Sequence, residues 1–265
     1  MDTRFWGPSG WRLLHLITFA YNPSEQKESV KILFEMLPYI LPCKFCRYSL
    51  SVYMEKEPLE PALKSQAKLS RWLYTIHNMV NEKLRGQGLT SKEETNPSFT
   101  SVQKVYEERI SAGCSQVEFE GWDFLFSVAE NHPYAVHGST PMPDVPPLHT
   151  IKTDNDKNRW NTMTAKERMP YFMKFWSSLG EALPFDTWRE AWQGCHPRMG
   201  RFANGAKHAK KELWRLRCCL EKKLDLMNRE TFSHVCKRLV EHKSGCHKTR
   251  RARTCRKIQK TRKVM

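Results

Sequence analysis

The stretch "ALKSQAKLSRWLYTIHNMVNEKL", residues 62–84, is the most clearly helical run in the 265-residue chain, and its reading settles the fold class. Pro58 and Pro61 break the chain before it, and "RGQGLTSKEETNP" forms a loop after it. Neighbouring runs have the same character. In "SGWRLLHLITFAY" Ser9 can cap a helix start, and Trp11, Leu14 and Thr18 lie beside His15 on adjoining faces. Residues 24–40 set Val30, Leu33, Phe34 and Leu37 on one stripe, with Pro38 and Pro42 expected to end the helix. A further helix is expected from Cys43 to about Glu55, and another over 98–112 behind a Ser cap. Short helices with brief loops imply an antiparallel bundle of four helices plus a short fifth. No run shows strand alternation, so the expected fold class is all-α.

A second all-helical region follows Gly121. "GWDFLFSVAENHPY" reads as one helix, "VHGSTPMPDVPPLHT" as a Pro-rich linker, and helices fit 164–180, 185–193, 204–227 and 229–242. The expected division is residues 1–113, 114–242 and a basic tail, 243–265. The two regions echo one another faintly: "GWRLLHLITFAYNP" matches "GWDFLFSVAENHPY", and "LPYILPCKFC" matches "MPYFMKFW". The echo has Phe126 in place of His15 and no cysteine pair, as a second copy that lost its chemistry would.

Composition bounds the class. Hydrophobic residues make up 40% of the chain, which argues for a packed core and against a disordered chain or a disulfide-stapled scaffold. The N-terminus lacks a basic start and a small-residue cleavage site, and no apolar run approaches the roughly 18–20 residues that span a bilayer. The reading is therefore a protein of the cytosol with no membrane partner. Ten Lys and Arg, with no Asp or Glu, fall between Lys243 and Met265, out of a net charge of +16. Such a block is a solvated tail or an attachment to nucleic acid or another acidic partner.

Chemistry is concentrated in "PCKFC". Cys43 and Cys46 have a spacing shared by zinc sites, haem attachment and redox disulfides. Zinc needs two further ligands, and no second C-x-x-C or H-x-x-x-H supplies them. A thioredoxin-like site needs a preceding buried strand, and none is visible. Two helical faces accompany the cysteines. Trp11 and His15 are four apart on the first helix, and "HNMVN" sets His77 and Asn81 on one face of the fourth, with Asn78 beside them and Lys83 following. These groups offer stacking surfaces and amide hydrogen bonds to a flat heteroaromatic ligand, and a cation for its phosphates.

"WGPSGWRLLHLITFAYNP", "PCKFC" and "HNMVNEKL", in this order, resemble the Erv/ALR family of FAD-linked sulfhydryl oxidases over about residues 5–112. The resemblance implies a bundle holding FAD beside the cysteine pair and a homodimer. It assigns FAD contacts to Trp11, His15 and Tyr21 on the first helix and to His77, Asn78, Val80, Asn81 and Lys83 on the fourth. Phe99 and Tyr106 would cover the flavin. Protein thiols would reduce the pair at Cys43, the solvent-side sulfur, Cys46 would face the flavin, and oxygen would leave as hydrogen peroxide. The sequence departs from the family's L-G-K with "LRGQG", and Cys114 has no evident partner. The long second region resembles the two-part oxidases of large DNA viruses, which implies host cytoplasm or virion. Members of the family commonly use a flexible cysteine pair to carry electrons from substrates, so Cys246 and Cys255 are either such a shuttle or incidental to the tail. The competing reading is a non-enzymatic basic helical adaptor that binds nucleic acid through its tail.

Overall fold

A computed structural model describes residues 1–91, 93–113, 119–135, 140–227 and 230–243. Among these there are twelve α-helices and no strand. The tail, with Cys246 and Cys255, lies outside the described residues apart from Lys243, and Cys114 lies outside them too.

Five helices build the first region. Helix α1 (Thr3–Phe19) starts where the Asp2 carboxylate accepts from the Arg4 N–H, and α2 (Pro23–Ile40) where Asn22 accepts from Ser24. Helix α2 ends at Ile40, as the reading of residues 24–40 expects, with Pro38 inside its last turn. Pro38 brings no backbone donor to the last turn, and its own carbonyl, one of the final carbonyls of the helix, accepts from Asn158 Nδ2 at 2.9 Å. Helix α3 (Lys44–Lys56) has Cys43 as its N-cap. The expected single helix 62–84 is a 3-10 turn, Ala62–Lys64, followed by α4 (Gln66–Gly86). Ser65 makes the break, since its extended backbone and its hydroxyl, accepting from Lys68, open a new helix. Helix α5 (Phe99–Ser111) is capped by Ser98.

Seven more helices follow: α6 (Trp122–Glu130), α7 (Asp154–Arg159), α8 (Ala165–Ala182), α9 (Asp186–Gly194), α10 (Met199–Ala203), α11 (Ala206–Lys223) and α12 (Phe232–Glu241). The short α7 and α10 have too few turns to show a helical period, and the sequence reading missed both. Capping boxes at Thr153 and Thr164, each closed by an acid three residues on, mark α7 and α8. Cys195, at the end of α9, is disulfide-bonded to Cys219 on α11, 24 residues away.

The two regions share one hydrophobic core, with α2 against α8 and α1 against α6. These are the helices that echo in sequence, and their contacts are reciprocal. A Cβ on Gly10 would meet Phe124 at 3.2 Å, while one on Gly121 would meet Leu13 at 2.6 Å. Leu13 and Phe124 hold matching places after the two glycines. Tyr39 and Tyr171, matched in "LPY" and "MPY", stack on each other at 3.8 Å between ring centroids. Equivalent residues meeting across a seam is the arrangement of a two-fold interface, here within one chain.

Candidate active site

Helices α1 and α4 lie side by side, and their polar faces meet. Trp11 stacks on His77 with ring centroids 3.9 Å apart and planes 10° apart. His15 Nε2 is 3.0 Å from His77 Nδ1, so one neutral ring donates to the other. Burial holds both histidines far below the ordinary imidazole range, His15 at about 3, where the nearby His77 adds to the effect, and His77 at about 4. Tyr106 stacks on His15 and Phe19 from α5, and burial pushes its hydroxyl up to about 12.

Between α1, α3 and α4 is a cavity of about 590 Å³. Trp11, His77, Val80, Asn81 and Lys83 line it, as does Cys46 on the first turn of α3. Lys83 Nζ donates to Ser49 Oγ at 2.7 Å, which spans the gap between α4 and α3. Three residues with assigned ligand contacts do not line the cavity. His15 lies behind His77, Tyr21 spends its hydroxyl on the Leu63 carbonyl at 3.0 Å, and Asn78, next to His77 on α4, is outside the lining. Of the two proposed covering aromatics, Tyr106 lines the cavity and Phe99 does not.

Cys43 is outside the cavity lining and only 9% exposed. Cys46 is the less buried of the two, and it faces the cavity. The Pro-rich linker runs past this end of α3. Lys44 Nζ donates to the Thr140 and Pro141 carbonyls at 2.9 and 3.1 Å.

Sequence reasoning missed Trp6, Ser49 and Leu50 in the cavity wall. The Trp6 Nε1–H is buried with no hydrogen-bond partner, an orphan donor at the wall. An apolar slot with one aromatic stack, an orphan donor and a lysine at its polar edge fits a large aromatic ligand with an anionic arm. Among the described residues no group of three or more His, Cys, Asp or Glu could hold a metal, and no helix is long and apolar enough to cross a membrane.

A family model described as the Erv1 / Alr family matches residues 8–103, a segment that holds Trp11, Cys46, His77, Val80, Asn81 and Lys83 of the cavity wall. An African swine fever virus (isolate Pig/Kenya/KEN-50/1950) protein called FAD-linked sulfhydryl oxidase is 31% identical over 123 residues, 45% of this chain and 92% of that protein. The chain belongs to the Erv1/Alr family. Two further relatives show how the match is confined. The mitochondrial FAD-linked sulfhydryl oxidase ERV1 of Saccharomyces cerevisiae is 33% identical over 87 residues, 32% of this chain and 45% of that protein. A putative FAD-linked sulfhydryl oxidase of Invertebrate iridescent virus 3 is 30% identical over 95 residues, 35% of this chain and 64% of that protein. No solved structure matches the chain.

Proposed function

We propose that this Erv1/Alr member is an FAD-linked sulfhydryl oxidase that forms disulfide bonds in protein substrates through Cys43 and Cys46. The observation that carries this reading is Cys46 on the wall of the cavity, opposite the Trp11–His77 stack. The cavity residues Trp11, His77, Val80, Asn81 and Lys83 would hold FAD, with Tyr106 as its cover and Trp6 added from the structure. His15 acts indirectly by fixing the His77 ring, and Tyr21 and Asn78 have supporting places behind the site.

When bound, FAD supplies a two-electron acceptor whose onward electrons reduce oxygen to hydrogen peroxide. The protein supplies the thiol chemistry. A substrate thiolate attacks the Cys43–Cys46 disulfide, and the first bond to form is a mixed disulfide. The second substrate thiol then displaces the enzyme sulfur, leaving the substrate oxidised and the pair reduced. The departing sulfur leaves as a thiolate, which the N-terminus of α3 stabilises. Cys46, on the cavity side, would face the cofactor, and Cys43 would be the sulfur that substrates attack. Access to Cys43 passes the segment that Lys44 holds at Thr140 and Pro141.

Residues 1–113 are the proposed oxidase domain and 114–242 a degenerate copy that supports it, as the reciprocal contacts at Gly10 and Gly121 suggest. A homodimer, an acidic partner for the tail and a site of action in host cytoplasm or virion complete the proposal, the last supported by the two viral relatives. Purified protein is expected to carry one flavin per chain and to consume oxygen when given a dithiol. A colourless protein, or a flavoprotein inert to thiols, would return the chain to the adaptor reading.

A further inference from the structure

Behind the cysteine pair, two arginines are buried together. Arg47, which follows Cys46 directly, is 6% exposed, and Arg168 on α8 is also 6% exposed. Asn161, in the loop between α7 and α8, joins them. Its Oδ1 accepts from Arg47 Nη2 at 2.7 Å and from Arg168 Nη2 at 3.4 Å. Its Nδ2 donates to the Thr140 carbonyl at 2.8 Å. Arg47 Nη1 donates to the Leu41 carbonyl at 2.8 Å, and the Arg47 backbone N–H to the Cys43 carbonyl at 3.0 Å. All these acceptors are neutral. The Nε of each arginine is buried with no hydrogen-bond partner, and among the described residues neither forms an ion pair with a carboxylate.

Two buried guanidiniums sharing one neutral amide oxygen are unfavourable unless a negative charge comes to meet them. The nearby charges are already committed. Arg159 pairs with Glu55 and donates to Ser51, Lys44 holds Thr140 and Pro141, and Lys83 holds Ser49. Toward α4 stand Glu82 and, from α3 itself, the half-buried Tyr53, whose hydroxyl donates to the Met79 carbonyl. The anions that face Arg47 are the sulfurs of Cys43 and Cys46 when ionised. Burial lowers the Arg47 pKa, and charge on either cysteine raises it again; Arg168 is held at about 9 by burial and then by the like charge of Arg47.

We propose that Arg47 and Arg168, joined through Asn161, form a buried cationic block whose counter-charge is the thiolate of the reduced Cys43–Cys46 pair, so that the second region of the chain sets how readily the pair accepts electrons. This inference rests on the redox reading of the pair given above. Reduction of the disulfide breaks one S–S bond and takes two electrons from a substrate dithiol. The two protons released by the substrate go to the new thiols or, for the sulfur kept as thiolate, to solvent. Stabilising that thiolate stabilises the reduced pair and makes its disulfide a stronger oxidant of substrate. Arg47 and Arg168 are positioning residues, since they act through the sulfurs.

The test is iodoacetamide alkylation of the reduced full-length protein across pH, with Cys43 and Cys46 peptides quantified by mass spectrometry. The equilibrium of the pair against glutathione is measured beside it. Arg168→Met removes one charge at similar volume. It is expected to slow alkylation of the more reactive cysteine at neutral pH by about threefold to tenfold and to move its midpoint upward. The glutathione equilibrium should move toward the disulfide, a tenfold change being about 30 mV for this two-electron couple. Arg168→Lys keeps the charge and should stay near the wild type. Should Arg168→Met not fold, Asn161→Asp serves. It places a carboxylate between the guanidiniums, loses the bond to Thr140 and should shift both readings the same way. Wild-type profiles in the folded variants would overturn the proposal, as would a fall in melting temperature with the thiol midpoint unmoved. Turnover surviving in Cys46→Ala would instead overturn the redox reading, and the alkylation midpoints would still report on the block.

Discussion

His15 Nε2 and His77 Nδ1 stand 3.0 Å apart, a hydrogen bond that ties α1 to α4 beneath the cavity. Both rings are held neutral, at about 3 and about 4, because burial penalises the imidazolium. A histidine whose folded pKa lies below its unfolded value of about 6.5 contributes fully above that pH. Its contribution is lost as pH falls from about 6.5 toward 4 and then 3. The melting temperature is therefore expected to fall across that window. His15→Phe, the residue that the echo carries at Phe126, should flatten the slope. Melting curves at several pH values check this, and an equal slope in wild type and variant would place the proton uptake elsewhere.

Cys46→Ala removes the sulfur on the cavity wall and leaves the stack of Trp11 on His77 intact. Dithiol oxidation should be abolished while flavin content stays at the wild-type level. Oxygen consumption and the flavin spectrum of the same sample decide it, and substantial turnover would remove Cys46 from the relay.

Lys83 and Asn81 sit at the polar edge of the cavity. Lys83→Met and Asn81→Ala should each weaken flavin retention by about tenfold, or about 1.4 kcal/mol, without unfolding the chain. Asn81 Nδ2 also donates to Asn96 Oδ1 at 3.3 Å, so part of its loss would come from loosening the loop before α5. Flavin released on dialysis measures the effect. Wild-type retention in both variants would make these ordinary helix positions.

Gly121 is expected to be the most sensitive glycine of the α1–α6 seam. Its φ of +105° suits a residue without Cβ, and an added Cβ would stand 2.6 Å from Leu13 Cδ2. Gly121→Ala should cost about 2–4 kcal/mol by strain and overpacking together. Gly10→Ala, at 3.2 Å from Phe124 and with helical backbone, should cost less. Chemical denaturation orders the two. The reverse order would mean that the seam is not as close as described.

The Cys195–Cys219 disulfide closes a loop of 24 residues within the second region. Replacing both cysteines by serine should lower stability by about 3 kcal/mol on the chain-entropy account. The redox pair lies on α3, so oxidation of a small dithiol should persist at temperatures where the variant is folded. Loss of turnover in a folded variant would give the bond a part in electron transfer.

Local pattern was enough to show that the chain is helical, where most helices begin, and that "PCKFC" and "HNMVN" carry the chemistry. Caps and helical periods are properties of neighbouring residues, so Ser98 and the stripe of α2 could be read directly. Short elements escaped because α7 and α10 have too few turns to show a period. The 3-10 turn before Ser65 escaped because a cap inside a helical composition is one hydroxyl among many. Cys195 and Cys219 gave no spacing motif, since their pairing is made by α9 packing on α11.

Which residues share a wall was decided by the tertiary structure. One helical face places Trp11 and His15 together, but only the fit of α1 against α4 puts Trp11 on the cavity and His15 behind His77. Cys43 and Cys46 are three apart on paper, and only the tilt of α3 turns one to the cavity and buries the other. Arg47 met Asn161 and Arg168 across more than a hundred residues because α2 and α3 pack against α8 and α7. Sequence by itself fixed the residue types and their local spacing, which short-range hydrogen bonds and sterics enforce. The distant partners were chosen by burial of one shared core, a condition no local window contains.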